Sequence, residues 1–264
     1  MKKKGVRLGQ HFLTGTWAAR KLTEAVAVQP TETILEIGPG KGALTRELLA
    51  TGAPVVAVEK DEKLVKILKE NFKKEVGSGQ FTVHSGDIRD FDAANLGDYV
   101  LAANIPYYIT GEITRKFLTA KRQPKRMALL IQKEVAERIL GARCLPAGRQ
   151  GKESILSIAV KVYGQPKIAA KVSRGNFFPP PSVDSAILVI SDISKKFFQD
   201  ISEELFFKVV RAGFASKRKL LASNLGNLFG RGKIDAIFIA CKIPEKARAE
   251  DLTVGEWRCV VRNI

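Results

Sequence analysis

A short apolar segment runs directly into a glycine-rich turn and then into a helical pattern, and this arrangement limits the fold more than any other stretch does. The segment is Thr33–Ile37, the turn reads Gly38-Pro39-Gly40-Lys41-Gly42, and the helical pattern begins at Ala43. Glycine permits a tight turn and lets the backbone approach a ligand closely. The combination predicts a buried strand, a ligand-binding turn and a helix, as in α/β domains.

The alternation of strand and helix patterns continues along the chain. Apolar, strand-like segments recur at residues 54–58, 81–84, 99–103 and 127–131, with helical patterns between them. The segment 99–103 is apolar and uncharged throughout, as expected of a strand buried on both faces of a parallel sheet. Residues 144–151 break all periodicity, and we expect an exposed loop there. The pattern as a whole predicts an α/β fold with a mostly parallel sheet.

The C-terminal part of the chain has a different pattern. Residues 154–162 and 183–190 resemble strands joined by a long linker, and from about Ser194 the pattern is helical throughout. We therefore predict two domains, the first of residues 1–192 and the second of residues 193–264.

The chain is strongly basic, with a net charge of +17 from 44 Lys and Arg against 27 Asp and Glu. This charge indicates a polyanionic partner, and the alternative is a solvated surface that only aids solubility. The distribution favours a partner, because the chain between Ile113 and Ile131 holds six basic residues and no acidic one. These are Arg115, Lys116, Lys121, Arg122, Lys125 and Arg126, and a second basic cluster is Lys217-Arg218-Lys219.

The cysteine and histidine content argues against metal sites and disulfides. The cysteines Cys144, Cys241 and Cys259 are widely spaced without a CxxC motif, and the only histidines are His11 and His84. We expect three reduced thiols and no bound metal. No uncharged apolar run approaches the ~18 residues of a membrane span. The basic start also lacks the apolar core of a signal peptide, so we expect a cytosolic protein without a membrane partner.

Acidic residues stand at the ends of the first three predicted strands. Glu36 precedes the G-x-G-x-G turn, whose spacing differs from that of dinucleotide sites. Glu59 ends the second strand, roughly 20 residues on, where a ribose-binding carboxylate is expected. Asp87 follows the third strand and is placed to accept a hydrogen bond from an adenine amino group. This pattern favours S-adenosylmethionine (SAM), which carries no phosphate, and helix capping is the alternative for either carboxylate alone.

The tetrapeptide Asn104-Ile105-Pro106-Tyr107 follows the buried segment 99–103. It places an amide, a rigid kink and an aromatic ring at the carboxyl end of a strand, where ligands collect in open α/β sheets. Such a group suits a flat ring that carries an amine. For an isolated motif of this kind, a turn-forming asparagine and a tyrosine packed in the core are the alternative.

Six motifs in a fixed order give the chain a resemblance to a known family. They are Gly9-Gln10-His11-Phe12-Leu13, Glu36-Ile37-Gly38-Pro39-Gly40-Lys41-Gly42-Ala43-Leu44-Thr45, Glu59-Lys60-Asp61, Gly86-Asp87, Asn104-Ile105-Pro106-Tyr107 and Phe177-Phe178-Pro179-Pro180-Pro181-Ser182-Val183-Asp184-Ser185. On these motifs the chain resembles the ribosomal-RNA adenine N6,N6-dimethyltransferases, which comprise small-subunit enzymes and large-subunit resistance relatives. The resemblance implies a Rossmann-like SAM-dependent methyltransferase domain with a mostly parallel sheet, followed by a small all-helical C-terminal domain.

The resemblance also implies a SAM site. By position in the motifs, its residues are Gln10, Leu13, Gly38, Gly40, Glu59, Asp87, Ile88 and Asn104. Gln10 and Leu13 are expected at the methionine end, beside the backbone of the glycine turn. Glu59 is expected at the ribose, and Asp87 with Ile88 at the adenine.

The target base is expected at the Asn104 motif. The resemblance implies that Asn104 and Tyr107 hold the target adenine and that Phe177 stacks on it. Hydrogen bonds from N6 to the Asn104 amide oxygen and the Pro106 carbonyl would aim the nitrogen lone pair at the methyl group. Tyr108 departs from the family pattern, which commonly has a small polar residue at this position.

Two further segments favour the small-subunit branch of the family. They are Gln132-Lys133-Glu134-Val135-Ala136-Glu137-Arg138 and the stretch from Arg211 to Leu220. This branch implies dimethylation of two neighbouring adenosines in a hairpin near the 3′ end of 16S rRNA, within an immature small subunit, by a monomeric enzyme. The residues expected to bind the RNA backbone are Arg115, Lys116, Arg122, Lys217, Arg218 and Lys219. The alternatives are a large-subunit rRNA methyltransferase that confers resistance and a non-catalytic RNA-binding assembly factor.

Overall fold

The computed structural model describes residues 11–141 and 151–264. The chain divides into two compact units, the first of Met1–Ala136 and Gln165–Ile193, the second of Glu137–Gly164 and Ser194–Ile264. The division after Ile193 lies beside the boundary expected from the sequence. The sequence-based ranges are continuous, however, whereas here residues 137–164 group with the C-terminal helices. Loop 144–151 and Gln10 lie outside the described residues, apart from Gly151.

The first unit is built on a seven-stranded sheet in the order β4-β3-β2-β5-β6-β9-β7. Its strands are β2 (Thr33–Ile37), β3 (Val55–Glu59), β4 (Phe81–Ser85), β5 (Tyr99–Asn104), β6 (Met127–Gln132), β7 (Gln165–Val172) and β9 (Ser185–Ser191). Strands β2 to β6 pair in parallel, and β9 and β7 are antiparallel to their neighbours. The mostly parallel sheet predicted from the alternating pattern is confirmed.

Helices precede, connect and follow the parallel strands. They are α1 (Thr16–Val26), α2 (Ala43–Leu49), α3 (Glu62–Asn71), α4 (Lys73–Gly77), α5 (Thr110–Thr119) and α6 (Lys133–Leu140). Helix α1 packs on the sheet through Leu22 and Val26, which are buried beside Ile34 and Val100. The residues of β5 from Tyr99 to Ala103 are fully buried, as expected of a central parallel strand.

A second, two-stranded sheet joins two distant motifs. Strand β1 (Phe12–Leu13) pairs antiparallel with β8 (Phe177–Phe178), with Phe12 opposite Phe178 and Leu13 opposite Phe177. Phe12 and Leu13 of the N-terminal motif therefore form a short strand. Helix α1 begins after Gly15 as its N-cap, and no side chain caps it.

The second unit is helical, as predicted for the chain after Ser194. It contains α7 (Ile155–Tyr163), α8 (Glu203–Gly213), α9 (Leu221–Phe229), α10 (Arg231–Ala240) and α11 (Val254–Arg262). Trp257 and Phe206 are fully buried in its core. Gly213 allows close packing there, because a Cβ at this position would lie 2.4 Å from the Trp257 ring.

Two sequence-based expectations fail in this unit. Residues 154–162 form helix α7 and not a strand, because Ser154 and Ser157 form a capping box and helical packing overrides the β-branched composition. Cys241 and Cys259 form a disulfide and are not free thiols. Residues 18 apart in sequence come together there, with Cα atoms 5.8 Å apart, because the end of α10 meets α11. Cys144 lies outside the described residues.

In residues 11–141 and 151–264, no helix is both long and apolar enough to span a bilayer. The same residues contain no group of three or more His, Cys, Asp or Glu side chains placed to hold a metal ion.

Candidate active site

One cavity of about 480 Å³ lies in the first unit at the carboxyl ends of β2, β3, β4 and β5. In parallel sheets of this type, ligands bind beyond this edge. Every predicted cofactor residue among the described ones lines the cavity: Leu13, Gly38, Gly40, Glu59, Asp87, Ile88 and Asn104. The structure thus brings together side chains that are up to 91 positions apart, from Leu13 to Asn104.

The glycine turn forms one wall of the cavity and exposes its backbone at Gly38 and Gly40. Gly38, Gly40 and Gly42 have φ angles of 63°, 59° and 85°, which side chains other than glycine rarely adopt. A Cβ on Gly42 would lie 2.6 Å from the Phe72 ring, so the turn is also sterically closed to larger residues. A flat or polar ligand can therefore approach the peptide groups of this turn directly.

Glu59 ends β3 and fixes the turn from the side of the neighbouring strand. Its Oε2 accepts a hydrogen bond from Gly40 N at 3.0 Å, and its Oε1 accepts one from Asp61 N at 2.9 Å. The carboxylate is 4% exposed. Because a carboxylate offers about four acceptor positions, two backbone bonds leave capacity for ligand hydroxyls.

Glu36 lies deeper, at the end of β2, and lines the same cavity. Thr45 Oγ1 donates to its Oε2 at 2.7 Å, whereas its Oε1 has no hydrogen-bond partner within the described chain. Burial raises the pKa of Glu36 to about 8; the bond from Thr45 opposes this rise and the charge of Glu59 adds to it. Glu36 is therefore mainly protonated at neutral pH, a state that its place in the motif did not reveal.

Asp87 follows β4 and is held by two cations. Arg89 donates from Nε to Oδ1 at 2.9 Å and from a terminal nitrogen to Oδ2 at 2.6 Å, and Lys60 Nζ donates to Oδ2 at 2.9 Å. The hydrogen bonds from Arg89, with a smaller contribution from Lys60, hold the pKa of Asp87 well below its usual range. The resemblance implies that Asp87 binds the adenine of SAM. In this structure the Asp87 carboxylate is already paired with Arg89 and Lys60.

Asn104 ends β5 on the opposite wall of the cavity. Its Nδ2 donates to the carbonyl oxygen of His11 at 3.1 Å, across 93 positions of sequence. This bond commits the amide nitrogen to the protein and leaves the amide oxygen as the acceptor for a ligand. The Pro106 carbonyl accepts from Ile109 N at 3.1 Å and keeps a second lone pair. The two acceptors expected for an adenine amine therefore belong to one short segment.

Tyr107 completes this segment, which we call the clamp (Asn104-Ile105-Pro106-Tyr107). Its hydroxyl shares a 2.9 Å hydrogen bond with Ser185 Oγ, and burial raises its pKa. Its ring stacks against the His11 ring, with centroids 5.8 Å apart and planes at 29°. His11 Nδ1 in turn donates to the Pro179 carbonyl at 2.7 Å. The sequence motif contained His11, but its contacts with the clamp were not anticipated.

Phe177, which the resemblance implies as the ring that stacks on the target base, is buried in this structure. Its side chain is 4% exposed and belongs to the hydrophobic core together with Leu13, and it does not line the cavity. Side chains alternate across a strand, so β8 directs Phe177 inward and leaves Phe178 69% exposed. The stacking role of Phe177 on the target base therefore stays a prediction.

The residues expected to bind RNA are distributed over both units. Arg115 is exposed on α5, and Lys217 to Lys219 are exposed in the second unit. Lys116 donates to the Arg89 carbonyl, and Arg122 donates to the Gly97 carbonyl and pairs with Asp98. The last two therefore also contribute to the local structure of the first unit.

The parallel sheet and the cavity at its carboxyl edge define the class of Rossmann-like methyltransferases. Among solved structures, a dimethyladenosine transferase from Plasmodium falciparum matches with a TM-score of 0.77 and 25% identity, covering 95% of this chain and 96% of that one. The 23S rRNA methyltransferase ErmE matches in fold with a TM-score of 0.75 and 24% identity, covering 96% and 98%.

Sequence comparison narrows this class. The family model of ribosomal RNA adenine dimethylases matches residues 1–264, and the chain belongs to this family. Ribosomal RNA small subunit methyltransferase A of Dehalococcoides mccartyi strain CBDB1 is 40% identical over 257 residues, which cover 95% of this chain and 85% of the relative. The protein of the same name from Moorella thermoacetica is 35% identical over 269 residues, covering 97% and 91%.

Proposed function

We propose that this protein transfers methyl groups from SAM to N6 of adenosines in small-subunit ribosomal RNA, forming N6,N6-dimethyladenosine. The observation that carries the proposal is the Asn104 amide, oriented by the His11 carbonyl and facing the same cavity as the glycine turn and Glu59. The small-subunit assignment is supported by the relatives that match at 35–40% identity over most of the chain.

The residues of the cofactor end fit SAM. Glycines with positive φ at Gly38 and Gly40 leave a wall of backbone against which the methionine part can lie, beside Leu13. Glu59 has acceptor capacity for the ribose hydroxyls, while Asp87 and Ile88 line the region proposed for the adenine. When bound, SAM supplies an activated methyl group on its sulfonium.

The clamp then acts on the target amine by hydrogen bonding and orientation. The lone pair of an adenine amino nitrogen is delocalised into the ring, so the amine is a weak nucleophile. In the first transfer, the Asn104 amide oxygen and the Pro106 carbonyl accept the two N6 hydrogens, favour a pyramidal nitrogen and stabilise the positive charge that develops on it. In the second transfer, N6 carries a single hydrogen, and one of the two acceptors orients it. In each transfer the N6–methyl bond forms as the sulfur–methyl bond breaks, S-adenosylhomocysteine leaves, and one N6 proton is released to water. Because burial raises the pKa of Tyr107, its phenol remains neutral and serves as a ring surface. No strong base is required in this scheme.

The RNA is held by charge. A net charge of +17 favours the phosphate backbone, and the exposed Arg115 and Lys217 to Lys219 are the proposed contacts. We propose that the protein acts as a monomer in the cytoplasm on an immature small subunit. Its proposed targets are two adjacent adenosines in the hairpin near the 3′ end of 16S rRNA, where unpaired bases expose their edges and faces.

The test uses the full chain, SAM with a labelled methyl group, and small subunits from cells that lack this dimethylation. We expect label in the small-subunit RNA, mapped by primer extension to two neighbouring adenosines, and none in matched large-subunit RNA. Label only in large-subunit RNA would contradict the proposal and support the resistance alternative. RNA binding without SAM binding or methyl transfer would instead support a non-catalytic assembly factor.

A further inference from the structure

Tyr108, the residue that follows the clamp, has a ring that the protein leaves in solvent. Its side chain is 68% exposed, yet it lines the same cavity as Asn104 and Tyr107. Tyr107, the preceding residue, is instead held by the protein, because its hydroxyl shares a hydrogen bond with Ser185 Oγ. An exposed aromatic ring at the rim of a site contributes little to folding and offers a flat apolar face to a ligand.

The backbone beneath this ring is fixed. Residues Tyr107–Ile109 form a 3₁₀ turn in which Ile109 N donates to the Pro106 carbonyl, and Thr110 Oγ1 donates to the Tyr107 carbonyl at 3.2 Å. Thr110 is buried after the turn, as is Ile105 before it. Tyr108 is therefore held at a set position relative to the clamp, and little backbone entropy is lost when a ligand contacts it.

We propose that Tyr108 forms a second base-binding subsite, which stacks on the unpaired nucleobase adjacent to the target adenosine. The inference rests on the proposed function and adds a binding partner for the neighbouring nucleotide. Consecutive Cα atoms are about 3.8 Å apart, so rings on residues 107 and 108 are within reach of two consecutive nucleotides. Stacking on an aromatic ring tolerates any base.

The experiment compares Tyr108→Ala, Tyr108→Phe and the control Phe178→Ala on a hairpin RNA and on the same RNA with an abasic neighbour. Phe178 is 69% exposed, in the same unit, and does not line the cavity. Tyr108→Ala is expected to raise KM for the hairpin about 10-fold while kcat and SAM affinity change little, because stacking affects binding of the neighbour. Tyr108→Phe and Phe178→Ala should retain the wild-type KM.

The abasic RNA separates stacking from a structural effect. The wild-type protein should bind it about 10-fold more weakly than the intact hairpin, and Tyr108→Ala should cause no additional loss. A direct readout places 2-aminopurine at the neighbouring position, where wild-type protein and Tyr108→Phe should quench its fluorescence and Tyr108→Ala should not.

Unchanged KM in Tyr108→Ala, or an equal loss on both RNAs, would overturn the subsite. A matching loss in Phe178→Ala would show a general RNA-binding surface and overturn it as well. If the wild-type protein binds the hairpin and quenches 2-aminopurine through Tyr108 but transfers no methyl group, the proposed function fails while the subsite stands.

Discussion

The two ends of the cavity differ in their hydrogen-bonding groups, which are carboxyl groups at one end and an amide and a backbone carbonyl at the other. The ends of β2, β3 and the loop after β4 carry the carboxylates Glu36, Glu59 and Asp87, whereas the end of β5 carries only the uncharged acceptors of the clamp. Uncharged acceptors cost less to desolvate than a carboxylate when a base fills the site. The difference indicates that the cofactor end is built for binding and the clamp for orienting a neutral amine.

The cofactor end itself contains a second contrast. Glu36 is buried with one partner, and its pKa is raised to about 8. Asp87 is held by Arg89 and Lys60, and its pKa is lowered. The pKa values of two carboxyl groups that line one cavity are thus shifted in opposite directions. Desolvation dominates at Glu36, and hydrogen-bonded cations dominate at Asp87.

The largest expected effect is the loss of methyl transfer when Asn104 at the clamp is substituted. Asn104→Ala removes the oriented amide oxygen, and we expect methyl transfer to fall by at least about 10³-fold because this acceptor acts on the developing charge. RNA affinity should stay within about threefold, since the basic surface is untouched, and SAM affinity should fall far less than methyl transfer, since the glycine turn, Glu59 and Asp87 remain. Single-turnover transfer, calorimetry with SAM and a filter-binding assay with the hairpin measure the three quantities.

The near-isosteric Asn104→Asp sharpens the same test. In the wild-type protein, Asn104 Nδ2 donates a hydrogen bond to the His11 carbonyl. The aspartate variant replaces this donor with a carboxylate oxygen, which the His11 carbonyl oxygen repels. We expect its transfer rate to be as low as that of the alanine variant. Asn71→Ala, at an exposed position on α3, is the control and should keep the wild-type rate. An active Asn104→Ala protein would end the proposed role of the amide.

Local sequence patterns were enough to predict one part of this site. A buried strand followed by glycines, and carboxylates at strand ends, place Gly40, Glu59 and Asp87 at one edge because parallel topology requires it. The side-chain pairing was not predictable in this way. The bond from Asn104 to His11 and the bond from Tyr107 to Ser185 join residues 93 and 78 positions apart. Such contacts depend on tertiary packing, which no local period encodes.

The errors have the same origin. The β-branched run after Ser154 resembles a strand, but a capping box and burial of its apolar face make it a helix. The spacing of the three cysteines does not predict the Cys241–Cys259 disulfide. The disulfide depends on the tertiary contact between the end of α10 and α11.

The second prediction concerns Glu36. Its pKa is about 8 in the folded protein against 4.5 without the fold, so the unfolded chain releases its proton first as pH rises. The native state therefore loses stability between about pH 4.5 and pH 8, by a few kcal/mol, and no further above this window. Glu36→Gln cannot ionise, and its free energy of unfolding should fall less over this range. Urea unfolding of both proteins from pH 5 to pH 8 measures the difference.

Glu70→Gln is the matched control for this experiment, because Glu70 is exposed on α3. Its stability should follow the wild-type dependence on pH. If Glu36→Gln also follows the wild type, Glu36 is ionised in the folded protein, and the contrast with Asp87 disappears.

The smallest expected effect is that of Asp87 on stability. Asp87 stabilises the fold as pH rises, whereas Glu36 destabilises it. A lowered pKa means that the pairing with Arg89 stabilises the fold above about pH 4 and is lost as pH falls further. Because both cations are substantially exposed, the contribution is expected to be less than ~1 kcal/mol. Asp87→Asn should therefore be slightly less stable than wild type at pH 7, and the difference should shrink as pH falls below about 4.

A double-mutant cycle with Arg89→Met isolates the pair. If the pairing stabilises the fold as argued, the coupling between the two substitutions should be present at pH 7 and vanish in acid and at high salt. SAM affinity adds a second readout, because an adenine amine must share Asp87 with Arg89 and Lys60. Arg89→Met should then strengthen SAM binding modestly, whereas Asp87→Asn should weaken it. Equal weakening by both would mean that Arg89 helps to hold the adenine itself, and that the cofactor end uses cations as well as carboxylates.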